Sequence, residues 1–172
     1  MISADLKPSE YNSYYSIYID KAPKNHNLIE GLNDGLNKVS DFFKSIPKEK
    51  LEYSYAEGKW TIKEVFQHII DTERIFMYRC FRIGRHDETP LMGYEQDDYV
   101  APSQANKKSM ESLLEEYELV RKNFIVLIKG FNDDDLKFIG EASENSVSAR
   151  ANAFIILGHE IWHMDVIKRL YL

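Results

Sequence analysis

Apolar residues return at every third or fourth position along four long segments of this chain, and no segment shows the alternation of a half-buried strand. The first segment carries Leu28, Leu32, Leu36, Val39, Phe43 and Ile46 and is ended by Pro47. The second opens after Trp60 with Thr61-Ile62-Lys63-Glu64, a capping box in which Thr61 and Glu64 satisfy each other's backbone donors. Trp60 and Val65 are placed to staple its entry, and Ile62, Val65, Ile69 and Phe76 form a stripe toward Gly84. The third covers about Ser109 to Gly130, with Leu113, Leu114, Tyr117, Phe124 and Ile128 inward. The fourth starts near Ser146 to Ser148 and runs almost to Leu172, with Ile155, Ile156, Val166, Ile167 and Leu170 on one face. At 172 residues the chain suits one domain. The prediction is an all-α four-helix bundle spanning residues 1–172. Residues 1–26, which include Tyr11, Tyr14, Tyr15 and Tyr18, are expected as an irregular arm across its outside.

The connections predict the topology. About fourteen residues, Pro47 to Trp60, join the first two helices, and a longer connection, Arg85 to Lys108, joins the second to the third. A short link makes antiparallel neighbours, whereas a long one can travel the bundle's length and leave the next helix parallel. The expected order is up-down-down-up, with the second helix antiparallel to the fourth.

Within this frame the segment His159-Glu160-Ile161-Trp162-His163 stands out. Positions i and i+4 of a helix share a face roughly 5–6 Å apart, which suits two ligands of one divalent metal. His68 lies seven residues after Thr61, and His163 lies seven before Leu170. In antiparallel neighbours these depths coincide, roughly 10 Å in at 1.5 Å per residue. Three neutral imidazoles at one level would leave a position open for water or substrate, as in catalytic zinc sites. A histidine on an apolar face can also be an ordinary core residue; the pair, the inward stripe and the depth-matched partner together favour ligation by His68, His159 and His163.

Two better-known motifs overlap this segment. His-Glu-x-x-His is a metalloprotease signature, but only nine residues follow His163 and none is His or Glu. Glu160-x-x-His163 also matches half of a di-iron bundle site, yet the residue three before His68 is Val65. Neither reading is carried forward. Asp71 and Glu73, one turn past His68, are candidate catalytic positions that could orient a ligand imidazole or move a proton; pairing with Arg74 on a solvated face is the alternative. Glu160 turns about 100° from His159 and fits a surface or interhelix ion pair. Arg79, Arg82 and Arg85 fall near the end of the second helix, where they complement its dipole or meet an anionic substrate.

A net charge of −6 argues against nucleic acid as a partner. The single cysteine, Cys80, fits a reducing compartment. Met1 to Glu10 lacks the basic start and apolar run of a leader, and no apolar stretch is long enough to cross a bilayer. The expectation is a cytoplasmic protein with no membrane partner.

The string Gly58-Lys59-Trp60-Thr61-Ile62-Lys63-Glu64-Val65, followed by His68-Ile69-Ile70-Asp71-Thr72-Glu73-Arg74 and closed by Gly158-His159-Glu160 to His163, resembles the DinB/YfiT-like superfamily. The stretch from Thr89-Pro90-Leu91 through Gly93 to Asp98-Tyr99-Val100 is similar to one of its subgroups. The resemblance runs from about Leu28 to Leu170. It implies the bundle topology above, a homodimer, and a divalent metal, zinc or nickel, held by His68, His159 and His163. It also implies a small-molecule substrate and, in the transferases and isomerases of that family, a low-molecular-weight thiol cosubstrate. The leading expectation is a thiol-dependent S-transferase in which the metal lowers the thiol's pKa for attack on a small electrophile. The alternatives are a metal-dependent hydrolase using a metal-bound water and a non-catalytic metal-binding stress-response module.

Overall fold

The computed structural model describes residues 1–172. In chain order its helices are α1 (Ser16–Ile19), α2 (Leu28–Lys44), α3 (Ile62–Gly84), α4 (Asp97–Ser103), α5 (Met110–Lys129), α6 (Asp133–Lys137) and α7 (Ala149–Leu170). Strands β1 (Ile139–Ala142) and β2 (Asn145–Ser148) form an antiparallel hairpin between α6 and α7. The four long helices make the expected four-helix bundle, and each starts on a side-chain cap. Asn27 accepts from Glu30 N, Thr61 from Glu64 N, Ser109 from Ser112 N and Ser148 from Ala151 N, quenching donors that a helix start leaves unpaired. At Asn27 and Thr61 the capping box is complete.

Contacts between named residues give the helix directions. Phe43, late in α2, stacks on Phe66, early in α3, with ring centroids 3.8 Å apart, so these two run antiparallel. Gln67 to Glu116 and Glu73 to Arg121 keep equal depth between α3 and α5, which run parallel. His68 near the start of α3 meets His163 near the end of α7. The order is up-down-down-up.

The bundle core is two apolar halves separated by a polar layer. One half gathers Leu28, Leu32, Phe76, Ile83, Phe124 and Phe154, and the other Val39, Phe43, Ile62, Phe66, Leu113 and Ile167. Between them lies Arg121, which has no exposed surface and donates through Nε to Glu73 at 2.6 Å and through Nη1 to the Leu32 carbonyl at 3.2 Å. Its Nη2 reaches both Glu73, at 2.9 Å, and Glu160. The Tyr117 hydroxyl also donates to Glu160, at 3.0 Å. One cation thus ties all four long helices, and the interior remains polar only because each partner is satisfied.

Two features go beyond the sequence expectation. The N-terminal arm is folded into short turns and α1, burying Tyr18, Ile19 and Ala22, rather than lying irregularly outside. It is anchored where Glu10, also buried, accepts from Arg150 Nε at 2.7 Å and Ser148 Oγ at 2.8 Å at the start of α7. The hairpin leaves little trace in the sequence, because its strands have four residues each and its turn is Ser143-Glu144, both at positive φ, in place of the usual glycine or asparagine. It is nonetheless structural: Leu91 N donates to Glu141 O at 3.0 Å, and Ser143 N donates to Leu91 O at 2.9 Å. These bonds pin the Arg85–Lys108 connection across the bundle. No helix is long and apolar enough to cross a membrane.

Candidate metal centre

The polar layer continues into three histidines. His68 occupies the second turn of α3, fixed by the Thr61–Glu64 box, while His159 and His163 lie one turn apart on α7. His68 Nε2 and His159 Nε2 are 3.0 Å apart, and His163 Nε2 and His159 Nε2 are 3.1 Å apart. All three ligand atoms fall within 4.8 Å of one another. Each ring is braced by an aromatic: Trp60 on His68 at 4.8 Å, Tyr18 on His159 at 5.1 Å and Trp162 on His163 at 4.8 Å between centroids.

Burial decides the charge of the cluster. Desolvation holds His68 near a pKa of about 4 and pushes His163 and His159 well below the ordinary imidazole value. The neighbouring rings add to the shift at His159 and His163, because two imidazolium charges there would repel. All three are therefore neutral at pH 7, the form with a free lone pair to donate.

The donor set fits a divalent cation. An imidazole nitrogen carries either one proton or one lone pair, so His159 Nε2 cannot be properly bonded to both other Nε2 atoms at once. A cation at their focus would take all three lone pairs. Two nitrogens bound tetrahedrally at roughly 2.0–2.1 Å from zinc lie roughly 3.3 Å apart, close to the observed spacings.

The other residues anticipated for the site are placed differently. Asp71 accepts from Arg74 Nη1 and from Gln67 Nε2, both at 3.0 Å, and Glu73 is buried against Arg121; neither contacts a ligand ring. Glu73, five residues on, turns roughly 140° away from His68, whereas Asp71, on a neighbouring face, is held off by its bonds to Gln67 and Arg74. Thr72 Oγ1 approaches His68 Nδ1 at 3.5 Å and Tyr94 Oη at 3.4 Å. Burial pushes the Glu73 carboxyl above the usual range, against the pull of Arg121. Glu160 makes the interhelix pair, fully buried rather than at the surface.

The arginines diverge. Arg82 pairs with Asp87 and Arg85 covers the Phe131 ring, whereas Arg79 is buried beneath the long connection, donating to Met92 O and Ser143 Oγ. Two recesses flank the histidines. One of about 240 Å³ has His159, Thr72, Phe76, Arg79, Tyr94 and Tyr18 in its wall. The other, about 410 Å³, borders His163 with Lys59, Trp60 and Trp162. Gln96 borders both. Thr72, Tyr18 and Tyr94 were not identifiable as site residues from sequence: Thr72 alone carries a signal, at i+4 from His68, and the tyrosines arrive through tertiary packing.

The sequence profile of the DinB superfamily matches residues 32–167. A protein of Oceanobacillus iheyensis, named as a candidate metal-dependent hydrolase, is 21% identical over 146 residues, covering 83% of each chain. A Bacillus cereus protein named likewise is 22% identical over 135 residues, covering 78% of this chain and 76% of its own. Among solved structures, YfiT from Bacillus subtilis, described as a candidate metal-dependent hydrolase with an unusual four-helix bundle topology, matches with a TM-score of 0.74. It is 18% identical, over 96% of this chain and 91% of that one. A mycothiol-dependent maleylpyruvate isomerase matches with a TM-score of 0.66 at 13% identity, over 80% of this chain and 58% of its own. At such identities the two structures speak for the fold, while the profile spans well over half the chain and all three clustered histidines. The chain belongs to the DinB superfamily.

Proposed function

We propose that this protein is a divalent-metal-dependent enzyme acting on a small substrate, with His68, His159 and His163 holding a zinc or nickel ion. The observation that carries the reading is the convergence of three neutral imidazole nitrogens within 4.8 Å, in a geometry that hydrogen bonding alone cannot satisfy. A bound divalent ion supplies Lewis acidity, lowering the pKa of a thiol or water that reaches it.

The chain's own groups do the rest. Trp60, Tyr18 and Trp162 fix the ring planes, and Thr72 Oγ1 can accept a hydrogen bond from His68 Nδ1–H, which leaves the Nε2 lone pair free to bind metal. Tyr94 and Gln96, carried by the pinned connection, border the recess beside His159. Two recesses meet at the histidines, which supports a reaction of two organic molecules. We therefore favour thiol-dependent S-transfer to a small electrophile. Metal-dependent hydrolysis is the second reading, favoured by the names of the relatives in Oceanobacillus and Bacillus.

The test is an assay of metal-loaded protein against small electrophiles and esters, with and without added low-molecular-weight thiols. Thiol-dependent conjugation that disappears on metal removal is the expected result. Metal-dependent turnover without thiol moves the assignment to hydrolysis, and turnover that survives metal removal contradicts both.

A further inference from the structure

We infer that Arg79 is the anion-binding residue of a substrate subsite beside the histidines, and that the ligand is a small organic carboxylate. This rests on the metal-centre reading for its catalytic meaning, though the subsite itself stands on separate observations.

Arg79 is only 3% exposed, yet no carboxylate pairs with it. Its two hydrogen bonds, to Met92 O at 3.3 Å and Ser143 Oγ at 2.7 Å, both use Nη2. The Nε and Nη1 donors have no protein partner. A buried guanidinium normally has its charge matched, because desolvating it uncompensated is costly. Arg121 and Arg150, the other two deeply buried arginines, each grip carboxylates with two or more nitrogens. Arg79 departs from that pattern, and it lines the recess of about 240 Å³ that ends at His159.

The recess has a shape suited to one class of ligand. Thr72, Phe76 and Arg79 form one stripe of α3, the Arg79 Cα roughly 10 Å along the helix axis from that of Thr72, the residue beside His68. The Phe76 and Tyr94 rings flank the guanidinium at 5.1 and 5.8 Å from their centroids. Tyr15 and Tyr18 complete an aromatic wall. The volume lies below the roughly 300–1,000 Å³ of drug-sized pockets. A planar or aliphatic body of modest size fits between the rings, a carboxylate oxygen on one of the unpaired Nη1 or Nε donors and its other end toward His159. Both two-donor edges of the guanidinium include Nη2, so a second carboxylate oxygen would share or replace the bonds to Met92 O and Ser143 Oγ. Glu95 also borders the recess, but it is solvent-exposed and forms no ion pair with Arg79.

The probe is benzoate, with benzamide as its uncharged counterpart, added to the full-length protein in NMR titrations. The expected result has three parts. Benzoate gives intermolecular NOEs to the Phe76 and Tyr94 rings and shifts the Arg79 Nε–H resonance, and benzamide binds much more weakly. Arg79→Gln weakens benzoate about tenfold or more, and Arg79→Lys restores only part. If Arg79→Gln fails to fold, the wild-type NOEs and Nε–H shift decide alone. Absence of benzoate binding in the millimolar range, binding without contacts to Phe76 or Tyr94, or equal affinity for benzamide overturns the proposal. Metal content measured on the same samples separates the two readings. Protein that takes up no metal on loading yet binds benzoate at Arg79 keeps the subsite and removes the metal assignment, whereas metal-loaded protein without the contacts does the reverse.

Discussion

Replacing Gly158 by alanine should destabilise this protein, although in the middle of an ordinary helix the same change gains about 1 kcal/mol. Gly158 precedes His159 on α7, where the backbone of α1 crosses it. A Cβ at this position would stand 1.7 Å from the Tyr18 carbonyl oxygen, 2.3 Å from its carbon and 3.0 Å from its Cα. Carbon atoms in contact sit roughly 3.5–4.0 Å apart, so α1 and α7 must separate by roughly 1.5 Å or more. Neither is a flexible side-chain end, and overpacking of this kind costs about 1–3 kcal/mol. The ceiling is release of the arm, which exposes Tyr18 and Ile19 at about 1.5–3 kcal/mol each but recovers chain entropy. After the propensity gain of about 1 kcal/mol, a backbone clash at the upper end of the overpacking range leaves a net loss of about 1–2 kcal/mol in urea unfolding. The Tyr18 ring, 5.1 Å from His159, moves with α1, so tryptic cleavage at Lys21 and Lys24 should also accelerate. A Gly158→Ala protein as stable as its parent, with the arm equally protected, would refute the reasoning.

Other outcomes follow from the polar layer and the histidines. Arg121→Leu leaves Glu73 and Glu160 buried without their cation and should cost about 3–5 kcal/mol by urea denaturation. Gly35→Ala puts a Cβ 2.3 Å from Glu160 Oε1 and 2.7 Å from Arg121 Nη1, and should lose about 1–3 kcal/mol in the same assay. In metal-free protein, His68 is neutral when folded, with a pKa of about 4, against an ordinary value of 6.5. Between these values the unfolded chain binds the extra proton, so stability is full above pH 6.5 and falls toward pH 4. From pH 7 to pH 5 this one group should remove about 2 kcal/mol, measured as urea midpoints and compared with His68→Ala. A metal-free protein equally stable at both pH values contradicts the buried, neutral cluster.

The parts legible in sequence are those governed by local chemistry. Thr61, Ser109 and Ser148 announce helix starts because a cap acts over three residues, and the stripes from Leu28 and Ile62 follow from helical period. The histidine cluster could be read because both its parts depend on helix arithmetic, spacing within α7 and depth along two antiparallel helices. Arg121 also left a trace: it takes the inward position between Tyr117 and Phe124, where the stripe calls for an apolar residue. What stayed hidden depends on tertiary placement. Tyr18 reaches His159 only because Gly158 lets α1 approach, and Tyr94 reaches Thr72 only because β1 pins Leu91. Arg79, one of three arginines whose spacing fits either dipole complementation or an anionic substrate, differs from Arg82 and Arg85 in its neighbours, which no spacing rule reveals.

Elemental analysis of the purified protein beside His68→Ala tests the central claim most directly. A focus of three imidazole nitrogens predicts close to one transition-metal ion per wild-type chain, and a large loss when the ring on α3 is removed while His159 and His163 remain. Metal absent from the wild type after loading, or retained equally by the variant, would contradict it.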